Sequence, residues 1–172
     1  MAQVSFEQIS TFVFDVDGVL TDGTILVLEN GLQARRMSIR DGYALQLAIR
    51  KGYRVLIISG AAASPVVDRL SKLGITEIHM AVRDKWDFLH QYLHTHSIPA
   101  AEVLFMGDDM PDYGVMTRVG LPACPADAIE DIAAISLYRS TQPGGAGCVR
   151  DVIEKVMRSR GHWLHDDVVS SR

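Results

Sequence analysis

The sequence lacks the features that mark a secreted, membrane-spanning or nucleic-acid-binding chain. Only two cysteines occur in 172 residues, Cys124 and Cys148. They are too few for a disulfide framework and too far apart for a chelating pair, so both are expected as reduced thiols in or near the core. No apolar run approaches the roughly 20 residues that a bilayer-spanning helix needs. The opening stretch MAQVSFEQIS has neither the basic start nor the apolar segment of a secretory signal. A cytoplasmic protein without a membrane partner is the expectation. Positive charge is not in excess either: the formal net charge is −4, and the 22% of charged residues mix both signs. That balance gives no support for a nucleic-acid partner, and a phosphorylated ligand must be met by local cations or a metal. Repeats, low-complexity tracts and long linkers are also missing.

What is present is core-forming material, 48% hydrophobic residues, enough for one domain over residues 1–172. Short apolar runs alternate with segments of helical periodicity. Residues 11–14, 54–58 and 103–106 are apolar almost throughout, as suits strands covered on both faces of a parallel sheet. Weaker strands are expected at 77–80, 120–123 and 135–137. Helices are expected over 43–51, 65–73, 85–94, 111–118, 127–133 and 148–158. The alternation predicts an α/β fold with a central parallel sheet and helices on both faces. One segment breaks the rhythm. Residues 24–28 and 32–39 flank Glu29-Asn30-Gly31, whose Asn-Gly step favours a tight turn, so 24–39 is expected as a protruding β-hairpin. The tail 160–172 is polar apart from Trp163, Leu164, Val168 and Val169, and is expected to be mobile unless it docks.

Four motifs fall where open α/β sheets bind ligands, at the C-terminal ends of strands. Asp15-Val16-Asp17-Gly18 ends the first strand, and paired carboxylates there can coordinate Mg²⁺ through oxygen. Ser59-Gly60 ends the second, offering a hydroxyl and free backbone N–H groups to a phosphate. Lys85 opens a helix, where a cation opposes the helix dipole and a purely structural motive is weak. Gly107-Asp108-Asp109-Met110-Pro111-Asp112 places three carboxylates within five residues, mutually repulsive unless a divalent cation sits among them. His90, His94 and His96 have no cysteine nearby in sequence and are expected on a solvated helix face.

In this order, the four motifs resemble the signature of the haloacid dehalogenase superfamily. The resemblance implies a Rossmann-like core and assigns roles to the matching positions. Asp15 is the nucleophile that becomes a phosphoaspartate, and Asp17 is the acid that protonates the leaving alcohol and later activates water. Mg²⁺ is held by the side chains of Asp15 and Asp108 and the backbone carbonyl of Asp17. Ser59, Gly60 and Lys85 bind the phosphoryl oxygens, while Asp109 and Asp112 orient the ligands.

The intervals Gly18 to Ser59 and Lys85 to Gly107, 41 and 22 residues, are too short for a cap domain. A neighbouring subunit must then cover the pocket, with the hairpin packing around a symmetric oligomer. Residues 15–22 (DVDGVLTD), Arg40-Asp41-Gly42-Tyr43 and Gly144-Gly145-Ala146-Gly147 with Arg150 narrow the resemblance to the 3-deoxy-D-manno-octulosonate (KDO) 8-phosphate phosphatases. That family implies a capless homotetramer in lipopolysaccharide biosynthesis acting on a phosphorylated sugar acid. The positions matching its substrate contacts are Ser38, Ile39, Arg40, Asp41 and Gly42, with Arg69 in the helix after Ser59-Gly60. Two family arginines are absent: Ala61 follows Ser59-Gly60, and Gln46 stands where arginine is usual. A sibling branch that hydrolyses nine-carbon sialic-acid-type 9-phosphates is the second reading. A receiver-like signalling module and an inactive structural relative complete the alternatives.

Overall fold

We describe residues 5–62, 65–165 and 169 of the computed structural model. Strand β1 (Thr11–Phe14) lies at the centre of a sheet. It pairs in parallel with β4 (Arg54–Ile58) on one side and β6 (Val103–Met106) on the other. Beyond β4 lies β5 (Glu77–His79); beyond β6 lie β7 (Leu121–Cys124) and then β8 (Tyr138–Arg139), and every pairing is parallel. The fold is the expected α/β sheet.

Apolar runs form these strands because both sheet faces are covered. Phe12, Phe14, Ile57, Leu104 and Met106 point toward α1 (Ile39–Arg50), α2 (Pro65–Lys72) and α6 (Cys148–Ser159). Their neighbours Val13, Leu56, Ile58, Val103 and Phe105 point toward α3 (Lys85–Thr95), α4 (Met110–Met116) and α5 (Glu130–Ile135). Each such buried side chain contributes about 1.5–3 kcal/mol, so two apolar layers clamp the central strands. Cys124 and Cys148 are free and buried within these layers. Among the described residues no helix is long and apolar enough to cross a membrane.

Of the boundaries that differ from the sequence expectation, three bear on the sheet and the hairpin. The strand expected at 135–137 is absent: Ile135 ends α5, and the parallel ladder resumes only where Leu137 N donates to Pro122 O and Ser140 N to Cys124 O. The hydrophobic spacing of Ile132 and Ile135 belongs to a helix, and Ile132 is fully buried. Helix α1 starts at Ile39 rather than 43, because the Ser38 hydroxyl caps it by accepting from Asp41 N. That cap cuts short the second arm of the hairpin, whose strands are only β2 (Leu26–Val27) and β3 (Gln33–Ala34). A Thr21–Met37 bridge closes the hairpin's base.

The first part of the tail docks on its own chain. Trp163 meets the Tyr43 ring edge-on, Tyr53 and His162 share a 2.9 Å hydrogen bond, and the Arg150 guanidinium lies over both Tyr43 and Trp163. Residues 166–168 and 170–172 lie outside the described residues.

Candidate active site

From β1 the chain builds outward through β4 and β5, then crosses back to place β6 on the opposite flank. The strand ends diverge there, and the crevice holds the predicted motifs. Asp15 follows β1 and donates its N–H to Met106 O at 3.1 Å; Ser59 follows β4 and donates to His79 O at 2.9 Å. The ladder thus extends past the strands and fixes the backbone of the reacting residues.

After Asp15 the chain coils tightly through Val16–Leu20, with Thr21 N bonded to Val16 O at 3.0 Å. The buried Thr21 hydroxyl donates to the same carbonyl and accepts from Gly18 N. Gly18 has φ +89°, and a Cβ there would lie 2.0 Å from Asp108 Oδ2. Only glycine allows the two acidic segments to approach so closely. The glycine-rich stretch before α6 presses on the same coil: a Cβ on Gly144 would lie 2.0 Å from Gly18 O, and Gly145 N donates to Val19 O.

Lys85 links two of the acids. Its ammonium lies 2.8 Å from Asp15 Oδ1 and 2.6 Å from Asp112 Oδ1, with only 6% of the side chain exposed. Burial opposes its charge, but Asp112 and Asp15 outweigh that and hold its pKa above the ordinary lysine value. The other Asp112 oxygen accepts from Asp108 N. Burial, reinforced by the Asp112 charge, raises Asp15 to about 6 even beside Lys85. Asp108 is raised to about 7 by burial and by the charges of Asp15, Asp112 and Asp109.

These acids fit a hard divalent cation. Asp15, Asp108 and Asp112 each offer a carboxylate oxygen within 4.8 Å of the others. Both oxygens of Asp112 are already committed to donors, so Asp112 orients Lys85 and the Asp108 backbone. Asp108 Oδ1, in contrast, is buried with no hydrogen-bond partner. An orphaned anionic oxygen beside a second carboxylate is what a cation would satisfy.

A cavity of about 420 Å³ opens over the cluster, lined by Asp15, Asp17, Ser59, Gly60, Lys85 and Asp108 among others. Asp109 and Asp112 also reach it, Asp109 while capping α4 through Met110 N. The Ser59 hydroxyl accepts from Ala61 N at 3.1 Å. Every residue expected at the reacting centre is therefore in one place.

The expected sugar contacts are not. None of residues 38–42 lines this cavity. Ser38 caps α1, and Asp41 is buried against the start of α6, where Oδ1 accepts from Arg150 N at 2.7 Å. Burial raises Asp41 to about 6. Gly42 packs against Arg69 and Leu73. Ile39 and Arg40 border a separate pocket with Tyr43, Arg150 and Trp163, and Arg69 lines another of about 370 Å³ beside Arg35. Arg35 itself escaped sequence reasoning, although its Nε donates to Asp17 Oδ1 at 2.6 Å.

Comparison with known proteins fits this geometry. No protein-family model matches the chain. It is 35% identical over 155 residues to 3-deoxy-D-manno-octulosonate 8-phosphate phosphatase KdsC of Escherichia coli (strain K12), covering 90% of this chain and 82% of the relative. The chain belongs to the KDO 8-phosphate phosphatase family of the haloacid dehalogenase superfamily. Among solved members of that family, the Yersinia pestis enzyme superposes with a TM-score of 0.88 at 32% identity, covering 91% of this chain and 85% of that one. The Moraxella catarrhalis phosphatase, in complex with magnesium, phosphate and KDO, gives 0.86 at 30% identity, with 90% and 88% covered. This KDO 8-phosphate phosphatase family chain has no inserted cap among its described residues. The coil, hairpin, α1 and β4 use up the first interval, and α3, a short turn at Ala100–Glu102 and β6 use up the second.

Proposed function

We propose that the chain is a magnesium-dependent phosphatase that hydrolyses KDO 8-phosphate to KDO and inorganic phosphate. The observation that carries this reading is the buried chain Asp15–Lys85–Asp112 beside the orphaned Asp108 oxygen, at the floor of a cavity lined by Ser59. Asp15, Asp108 and the Asp17 carbonyl hold Mg²⁺, which when bound screens the repulsion between an anionic nucleophile and an anionic ester. Asp15 attacks phosphorus through one carboxylate oxygen, and the bond to the sugar oxygen breaks. Asp17 delivers a proton to that departing alkoxide, then takes one from the water that cleaves the phosphoaspartate. Ser59, the backbone at Gly60 and Lys85 hold the equatorial oxygens while charge moves between them. Asp109 and Asp112 keep the acids and Lys85 aligned.

An uncapped cavity leaves the sugar acid exposed on one side. In our reading a homotetramer covers it, the apolar hairpin serves as one of its contacts, and residues 38–42 with Arg69 act at or near a subunit boundary. The product serves lipopolysaccharide biosynthesis in the cytoplasm.

Phosphate release from KDO 8-phosphate, a sialic-acid-type 9-phosphate and p-nitrophenyl phosphate tests this directly. We expect the first to have the highest kcat/KM, strict dependence on Mg²⁺, and a loss of about 10⁴-fold in Asp15→Asn. Equal kcat/KM for all three esters would remove the substrate assignment, and an active Asp15→Asn enzyme would remove the mechanism.

A further inference from the structure

Arg35 stands apart from the hairpin that carries it. Residues 24–34 are exposed except where they meet one another, and the neighbouring Arg36 side chain is 90% exposed, 3.8 Å from Asp22. The Arg35 side chain is only 11% exposed. The Thr21–Met37 bridge at the hairpin's base turns it inward, where Nε meets Asp17 Oδ1 at 2.6 Å. Asp17 is more accessible than Asp15 or Asp112, with 36% of its side chain exposed and no second side-chain partner at hydrogen-bond distance among the described residues. A carboxylate in that setting, extending from an irregular coil, rotates freely unless something holds it.

We propose that Arg35 is a positioning residue for Asp17. By occupying Oδ1 it turns Oδ2 toward the cavity, so a single oxygen exchanges the proton with the leaving alcohol and with water. This rests on the reading of Asp17 as acid and base. Arg35 also lines the neighbouring pocket with Gln33, Met37 and Arg69, so its guanidinium joins that pocket to Asp17, an acid that lines the carboxylate cavity. The hairpin thereby reaches the chemistry of its own chain through one side chain.

The test uses leaving groups of different basicity. A sugar or alkyl phosphate needs a proton as its bond breaks; p-nitrophenolate leaves without one. Arg35→Ala is expected to lose about 10–100-fold in kcat/KM on the alkyl ester, part of the 10²–10⁴ that positioned acid–base catalysis supplies. The ratio kcat/KM covers only the steps through departure of the leaving group, so the water step that both esters share does not enter it. The variant's loss in kcat/KM on p-nitrophenyl phosphate is expected to be less than about 3-fold. Arg35→Lys restores most of the alkyl-ester rate, and Arg36→Ala leaves both rates as they were. Equal losses on the two esters, an unaffected alkyl-ester rate, or an Arg35→Lys enzyme no better than Arg35→Ala overturns the inference. Asp17→Asn separates the two levels. If it lacks the leaving-group contrast, Asp17 is not the acid; if it shows the contrast and Arg35→Ala does not, only the role of Arg35 falls. Retained circular dichroism and melting temperature in Arg35→Ala confirm that the comparison concerns a folded enzyme.

Discussion

The crevice at the ends of β1 and β6 and the hairpin at 24–34 invert the usual rule in opposite directions. In the crevice, charged groups are buried: Asp15, Lys85 and Asp112 are 7%, 6% and 1% exposed. On the hairpin, apolar groups face outward: Leu26, Val27 and Leu32 are 63–68% exposed. Burying unpaired charge is costly, and so is wetting a row of aliphatic side chains. Under the function proposed, each region is completed from outside the single chain. The first fits a cation, the second would take the covering subunit proposed above, and Arg35 ties the one to the other.

The largest expected effect comes from removing the central charge of the crevice. Lys85→Met leaves Asp15 and Asp112 buried without their counter-ion, a change that costs about 3–5 kcal/mol. Urea unfolding of the metal-free variant measures it, and a loss below about 1 kcal/mol would mean that the crevice is wetter than its geometry implies.

Metal and proton compete for the same oxygens, which gives the next effect. Asp108 at about 7 and Asp15 at about 6 stand above their ordinary value of 3.8, so the folded metal-free chain binds protons that the unfolded chain has released. Stability from these groups is fully present below about pH 3.8, falls as pH rises from there, and is lost by about 6 to 7. Mg²⁺ binds the deprotonated acids, so its stabilisation grows over the same range. At a concentration 100 times its Kd, it is worth about 2.7 kcal/mol well above pH 7 and far less near pH 5. Melting temperatures with and without Mg²⁺ at both pH values check this; an equal shift at both would contradict it.

The smallest effect on folding sharpens the other half of the comparison. Leu26→Asp changes the stability of the single chain by less than about 0.5 kcal/mol, since the residue is already exposed. Light scattering should nevertheless show a smaller species than the wild-type chain. A tetramer that persists in Leu26→Asp excludes the hairpin from the subunit contact.

The positions where the sequence was readable follow from the range of the interactions involved. An apolar run ending in Asp15 or Asp108 announces both strand and site, because the strand and its terminal acid are adjacent in the chain. The helix at α5 defeated that logic, since Ile135-Ser136-Leu137 is as compatible with a strand as with a helix end, and Pro122 and Cys124 decide it. Asp41 carries a family motif, yet its partner, Arg150 N, lies 109 residues away and no local pattern encodes it. Arg35 and Arg36 are chemically identical in sequence. Which of them turns inward is set by the bridge between Thr21 and Met37, a tertiary contact.

Every group expected to touch the phosphoryl moiety is contributed before residue 113, yet the coil bearing Asp17 leans on Gly144 and Gly145, and α1 inserts Asp41 into the first turn of α6. The last third of the polypeptide is thus a bearing surface on which the earlier two-thirds are mounted. A gene divided or recombined between β7 and α6 would inherit the reagents without the jig that aligns them.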